Sequence, residues 1–181
     1  MAETKFIKIT PPISDQLARS LRAGNEVLIT GKIYTARDAA HQAFGDQPPF
    51  DPAGQIIYYA SPTPTKPGKI IGSIGPTTSS RMDAFVEPLL KLGIKAMIGK
   101  GNRSLEVVEY LKKYDAVYLM VPGGTAASLS KHIKKSTLIA YPELGPEAVL
   151  ELEVLDFPAI VAIDSIGTNL FEEGKKKYQI K

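Results

Sequence analysis

Apolar residues recur at helical spacing in residues 14–24, where Leu17, Ala18 and Leu21 share a face, Ser14 stands in capping position and Gly24 offers a stop. Residues 26–31 read as a buried strand. Thr35 and Asp38 have the spacing of a hydroxyl cap and its acid, which predicts a helix through Ala39, Ala40 and Ala43. Residues 69–74 are predicted to form a strand that feeds a hydroxyl-rich turn. Met82, Phe85, Val86, Leu89 and Leu90 then give a helix an apolar face, with Pro88 marking a kink or a late start. The pattern continues with a strand at 94–98, a helix carrying Leu105, Val107, Val108 and Leu111, a strand at 115–121 and a helix through Ala126, Ala127 and Leu129. Three further strands are expected at 138–141, 149–155 and 159–163.

Residues 44–68 break this rhythm with prolines at 48, 49, 52, 62, 64 and 67 around a β-like island at 55–60. They read as a long ordered excursion, because the roughly 40 residues before them are too few for an ordinary independent domain. Residues 1–181 are accordingly expected to form one domain. Strands with interspersed helices predict an α/β class, and the short final connections predict a mixed sheet, with a doubly wound fold as the alternative.

A hydrophobic content of 44% supports a buried core. The 22 basic and 19 acidic residues are too balanced for a nucleic-acid footprint, and the lysines at 175–177 read as a solvated tail. No apolar run reaches the roughly 18 to 20 residues of a membrane span, and the first residues lack an apolar signal core, so the expected compartment is the cytoplasm. Cysteine is absent and there are two histidines, which excludes disulfides, thiol nucleophiles and thiolate-held clusters built by this chain alone.

The segment Gly75-Pro-Thr-Thr-Ser-Ser-Arg-Met-Asp83 carries four successive hydroxyls and an arginine into a helix. Backbone amides, short hydroxyls and a guanidinium fork suit carboxylate or phosphate oxygens. Ser80 and Asp83 also have capping-box spacing, but a cap does not account for Thr77, Thr78 and Ser79, or for a cation in a first turn, where the helix dipole disfavours it. Arg37 stands at another predicted helix start, and Lys100 lies in the glycine turn after the strand at 94–98. If Arg37, Arg81 and Lys100 converge, they form a positive pocket suited to a small dicarboxylate. His41 shares a helix face with Arg37 and is placed to orient it, to contact a substrate or to serve as a structural histidine. The Gly123-Gly124-Thr125 turn suits either tight strand-to-helix packing or an anion. No Ser-His-Asp arrangement is present, and no base lies near Thr77 or Ser79 in sequence.

Four motifs in order, Gly31-Lys-Ile-Tyr-Thr-Ala-Arg-Asp-Ala-Ala-His41, the 75–83 segment, Ile98-Gly-Lys-Gly-Asn102, and Asp156-Phe-Pro158 with residues 164–171, resemble the β subunit or C-terminal domain of iron–sulfur class I fumarases and L-tartrate dehydratases. The resemblance implies a swivelling β/β/α domain with a mixed sheet and flanking helices. It implies a subunit of a hydro-lyase that hydrates fumarate to L-malate, with L-tartrate, a methyl-substituted fumarate or a noncatalytic dicarboxylate-binding role as alternatives. The [4Fe–4S] cluster would be held by a cysteine-bearing α subunit in an αβ hetero-oligomer, with none bound by this chain alone, which would then be inactive without its partner. Arg37, Arg81 and Lys100 would bind substrate carboxylates, Thr77 would act at the carbon-bound proton, and Thr78 and Ser79 would donate hydrogen bonds around the pocket.

Overall fold

Three short strands at the centre of the molecule are buried on both faces, and the alternation of their side chains builds two cores. The computed structural model describes residues 6–179. Strands β3 (Ile56–Tyr58), β6 (Ala96–Gly99) and β7 (Val117–Met120) run parallel, with Ile57 opposite Met97 and Met97 opposite Tyr118. Ile56, Tyr58, Ala96, Ile98, Val117 and Leu119 enter one core. Ile57, Tyr59, Met97 and Tyr118 enter the other, as period-two geometry requires.

β2 (Glu26–Thr35) runs parallel to β1 (Ile7–Ile9) and to β3. β9 (Val149–Ile163) runs antiparallel to β2, β7 and β8 (Ile133–Ala140). The seven strands follow the order β1-β2-β3-β6-β7-β9-β8, and the extra β2–β9 pairing closes β2, β3, β6, β7 and β9 into a ring. The first core lies within that ring, where Phe157 meets Tyr58 edge-on at 5.4 Å, and α1 (Asp15–Ser20) adds Ala18 and the adjoining Leu21. The second core lies between the sheet and helices α2 (Asp38–Phe44), α3 (Val86–Lys91) and α4 (Leu105–Lys113), which bury Phe44, Leu89 and Leu111 against it. The architecture is mixed α/β with a mixed sheet and flanking helices, as expected. Among the described residues, no helix is long and apolar enough to cross a membrane.

Several local expectations change. The island at 55–60 is β3, a central strand, followed by β4 (Ala60–Pro62). The β-like reading holds, and its central place was not legible because a three-residue strand buried on both faces shows no alternation. The strand expected at 69–74 shrinks to β5 (Ile74–Pro76), which pairs with β4, because the chain before it turns through a Lys69-to-Lys66 hydrogen bond and leaves Ile70 exposed. The two strands expected at 149–155 and 159–163 are one. Asp156 takes a positive φ of 50° opposite a register break between Ile29 and Gly31, so β9 bends without ending. Residues 126–129 form α5 (Ala126–Leu129), and the 175–177 lysines lie exposed on α6 (Leu170–Tyr178).

Candidate functional site

β2, β3, β6 and β7 are parallel and finish at one edge, and the residues leaving that edge are those with the candidate chemistry. β2 delivers Arg37, β6 delivers Lys100, and the chain after β5 is stitched between them. Thr77 N–H donates to the Tyr59 carbonyl at 2.7 Å, Lys100 N–H to the Thr77 carbonyl at 3.2 Å, and Ser79 N–H to the Lys100 carbonyl at 3.0 Å. Thr78 thereby stands opposite Lys100 as a one-residue parallel bridge. The Lys100 side chain extends across the turn after β7, where a Cβ added to Gly123 would lie 3.7 Å from its Cδ and 3.9 Å from its Nζ.

Both arginines are held by internal carboxylates. Arg81 Nε and Nη2 donate to the two Asp38 oxygens at 3.0 and 2.8 Å, a bidentate pair that fixes the plane of the guanidinium. Arg37 Nη1 donates to Ser61 Oγ at 2.7 Å, and its Nη2 lies 3.4 Å from Glu147. Arg37 and Asp38 are consecutive, so the two guanidinium groups are linked through adjacent residues. Pairing of Ser61 with Gly75 joins the same group to the start of the hydroxyl segment. Arg37, Arg81, Thr77, Thr78 and Lys100 therefore share one edge, with Thr78 and Arg81 exposed and Arg37, Thr77 and Lys100 half-buried.

Ser79 and His41 are not presented there. Ser79 is fully buried, with its hydroxyl 2.8 Å from that of Tyr118. His41 is also fully buried, stacked on Phe85 at 5.2 Å and edge-on to Phe44 and Tyr59. Burial pushes its pKa down to about 4, and neither ring nitrogen has a hydrogen-bond partner among the described residues.

The local caps also differ from expectation. The hydroxyl segment opens a 3-10 helix at Ser79–Phe85 with Thr78 at its N-cap and no side-chain cap. Asp83 instead accepts from Arg103 Nε at 2.7 Å and from Ser104 N–H at 2.9 Å. Thr35 remains in β2 and accepts from Leu150 N–H at 3.0 Å, so Arg37 becomes the N-cap of α2, whose Ala39 N–H is met by Glu147 at 3.0 Å. A distant carboxylate thus replaces the local cap at α2, whereas the Ser79 N–H is met by the Lys100 carbonyl.

Sequence reasoning missed Arg103, Ser61, Glu147 and Tyr118. A signal existed for Arg103: it immediately precedes Ser104, the N-cap of α4, and so is a cation at a helix start. Nothing local marks Ser61 or Glu147, which reach Arg37 from 24 residues downstream and from the end of the 3-10 helix Pro142–Glu147.

Residues 1–174 match the family described as "Fumarase C-terminus". The chain belongs to the fumarase C-terminal family. It is 43% identical over 171 residues to a protein of Methanocaldococcus jannaschii assigned as L(+)-tartrate dehydratase subunit beta, covering 88% of each chain. It is 40% identical to fumarate hydratase class I, aerobic, of Salmonella typhimurium, with 94% of this chain matched to 31% of that protein. Fumarate hydratase 2 of Leishmania major is likewise 40% identical, over 83% of this chain and 28% of its own length. The fumarase C-terminal chain thus spans less than a third of these fumarate hydratases but most of the tartrate dehydratase subunit.

Class I fumarate hydratases and tartrate dehydratases are iron–sulfur enzymes. This fumarase C-terminal chain has no cysteine, and among the described residues no group of three or more His, Cys, Asp or Glu side chains is placed to hold a metal. It therefore offers no thiolate to such a cluster.

Proposed function

We propose that this chain is the dicarboxylate-binding β subunit of an iron–sulfur hydro-lyase, with reversible hydration of fumarate to L-malate as its reaction. The carrying observation is the common edge that gathers Arg37, Arg81, Lys100 and Thr77 beyond the carboxyl ends of four parallel strands. Arg81 offers a guanidinium whose plane is already set by Asp38, and Arg37 and Lys100 supply the other positive groups for a substrate with two carboxylates. Thr77 is pinned through both its N–H and its carbonyl, so the direction of its hydroxyl is reduced to one side-chain torsion. That hydroxyl is assigned to the carbon-bound proton. A threonine hydroxyl is a weak base near neutral pH, so this role requires stabilisation of its deprotonated form or a partner group. Thr78 donates a hydrogen bond beside it. Ser79 orders the segment through Tyr118, and His41 packs the wall behind α2.

The cluster belongs to a cysteine-bearing α subunit that docks over this edge in an αβ hetero-oligomer, where it supplies Lewis-acid chemistry. The chain alone is therefore inactive. L-tartrate dehydration is a second reading, supported by the match along most of both chains to the tartrate dehydratase subunit.

Anaerobic reconstitution with the cysteine-bearing partner tests both readings, using fumarate hydration and dehydration of malate and L-tartrate. Absence of all these activities in a complex with an intact cluster overturns the enzyme reading. In the active complex, Arg81→Ala should lower kcat/KM by about 2–5 kcal/mol of transition-state free energy, as for loss of one partner of a desolvated charge pair. Wild-type kinetics would remove Arg81 from the site.

A further inference from the structure

Arg103 carries a charge into the interior one layer beneath the proposed site. Its side chain has 0% exposure and its Nε donates to Asp83 at 2.7 Å. The guanidinium carbon lies 5.4 Å from the Tyr59 ring centre and 5.1 Å from that of Tyr118. Burial works against the charge, but the phenol rings and the Asp83 carboxylate outweigh it and keep the group protonated. Apolar side chains of similar volume often stabilise a core as well as a buried ion pair does, so the distinctive property of this pair is direction.

Its contacts converge on the segment bearing the candidate chemistry. The Tyr59 carbonyl accepts the Thr77 N–H. The Tyr118 hydroxyl hydrogen-bonds with Ser79 Oγ at 2.8 Å and with the Gly101 carbonyl at 3.0 Å, one residue beyond Thr78 and Lys100 respectively. Asp83 ties the same guanidinium to the start of α4 through Ser104. We propose that Arg103, through Asp83, Tyr59 and Tyr118, is a positioning residue that holds the Thr77–Thr78 segment in register with Lys100, given the dicarboxylate reading of that edge. The Arg103 side chain does not reach the surface.

The test uses Arg103→Lys, which keeps the charge and loses the Nε donor, and Tyr118→Phe, which keeps the ring and loses its hydroxyl. Hydrogen exchange on the full chain follows the Ser79 and Lys100 amides, with Val161 N–H, bonded to the Asn25 carbonyl at the end of β2 opposite Arg37, as the reference. Both variants should exchange about tenfold faster at Ser79 and Lys100 with Val161 unchanged. In the reconstituted complex, kcat/KM should fall roughly 10²-fold, the scale for misplaced reacting groups. Unchanged exchange at Ser79 and Lys100 in folded variants overturns the proposal, as does equal acceleration at Val161, which would mark a purely global role. If Arg103→Lys does not fold, Tyr118→Phe decides alone. Local acceleration together with a wild-type complex inactive on every dicarboxylate would leave the positioning role standing and remove the function.

Discussion

At the scale of single residues, His41 couples the packing behind the site to pH. It has 0% exposure and is surrounded by Phe44, Tyr59 and Phe85, and burial lowers its pKa from 6.5 to about 4. Between those values the unfolded chain binds a proton that the folded chain refuses. Stability from this group is therefore complete above about pH 6.5 and declines as pH falls toward 4. From pH 7 to pH 5 the loss should be about 2 kcal/mol, measured by urea unfolding at both values. His41→Leu should flatten that pH dependence while remaining folded, and an equally steep dependence in the variant would assign it to other groups. The sequence placed His41 beside Arg37 on a helix but did not say which way that face points. Arg37, Arg81 and Lys100 were legible because each is a cation beside a turn or helix start. The internal carboxylates that hold the arginines were less so, since Glu147 lies 110 positions from Arg37 and Asp38 lies 43 from Arg81.

Elements meet at the site with little clearance, and Gly99 at the end of β6 shows how little. A Cβ built on it would stand 1.8 Å from Ser79 Oγ and 3.2 Å from a Tyr59 ring carbon. Ser79 cannot swing away freely, because it is fully buried and hydrogen-bonded to Tyr118. Gly99→Ala should therefore destabilise the fold by about 1–3 kcal/mol, the cost of overpacking a filled core. Adding Ser79→Ala, which removes the clashing oxygen, should recover most of that loss in urea unfolding. An additive double variant would show that the two positions do not collide. The same crowding explains which elements could be read from sequence. α4 was legible because Val107, Val108 and Leu111 keep one face, although Leu105, read with them, is exposed. β3 was legible as a β-like island but not as a central strand, because three residues buried on both faces offer no polar alternation. β9 was divided because Asp156-Phe157-Pro158 looks like a turn, whereas the positive φ at Asp156 bends the strand and pairing with Ile29 and Leu28 carries it onward.

Ring closure sets the expected behaviour of the whole molecule. An open sheet can lose an edge strand and keep its core, but β9 pairs with β2 and β7 across the closing seam and also holds β8. Peeling β9 away would expose Phe157 and Tyr58 together with Val27, Ile29 and Leu152, all fully buried within one cluster. Such an intermediate would lose the apolar burial that offsets chain entropy, so the described residues should unfold as one cooperative unit. Urea transitions followed by far-UV circular dichroism and by tyrosine emission should coincide. Phe157→Ala should shift both transitions together by about 3–5 kcal/mol, the range for truncating a buried aromatic side chain. A plateau, or separate midpoints for the two probes, would show that the ring opens at β9 before the central strands lose their packing, and that closure does not bind the two cores into one domain.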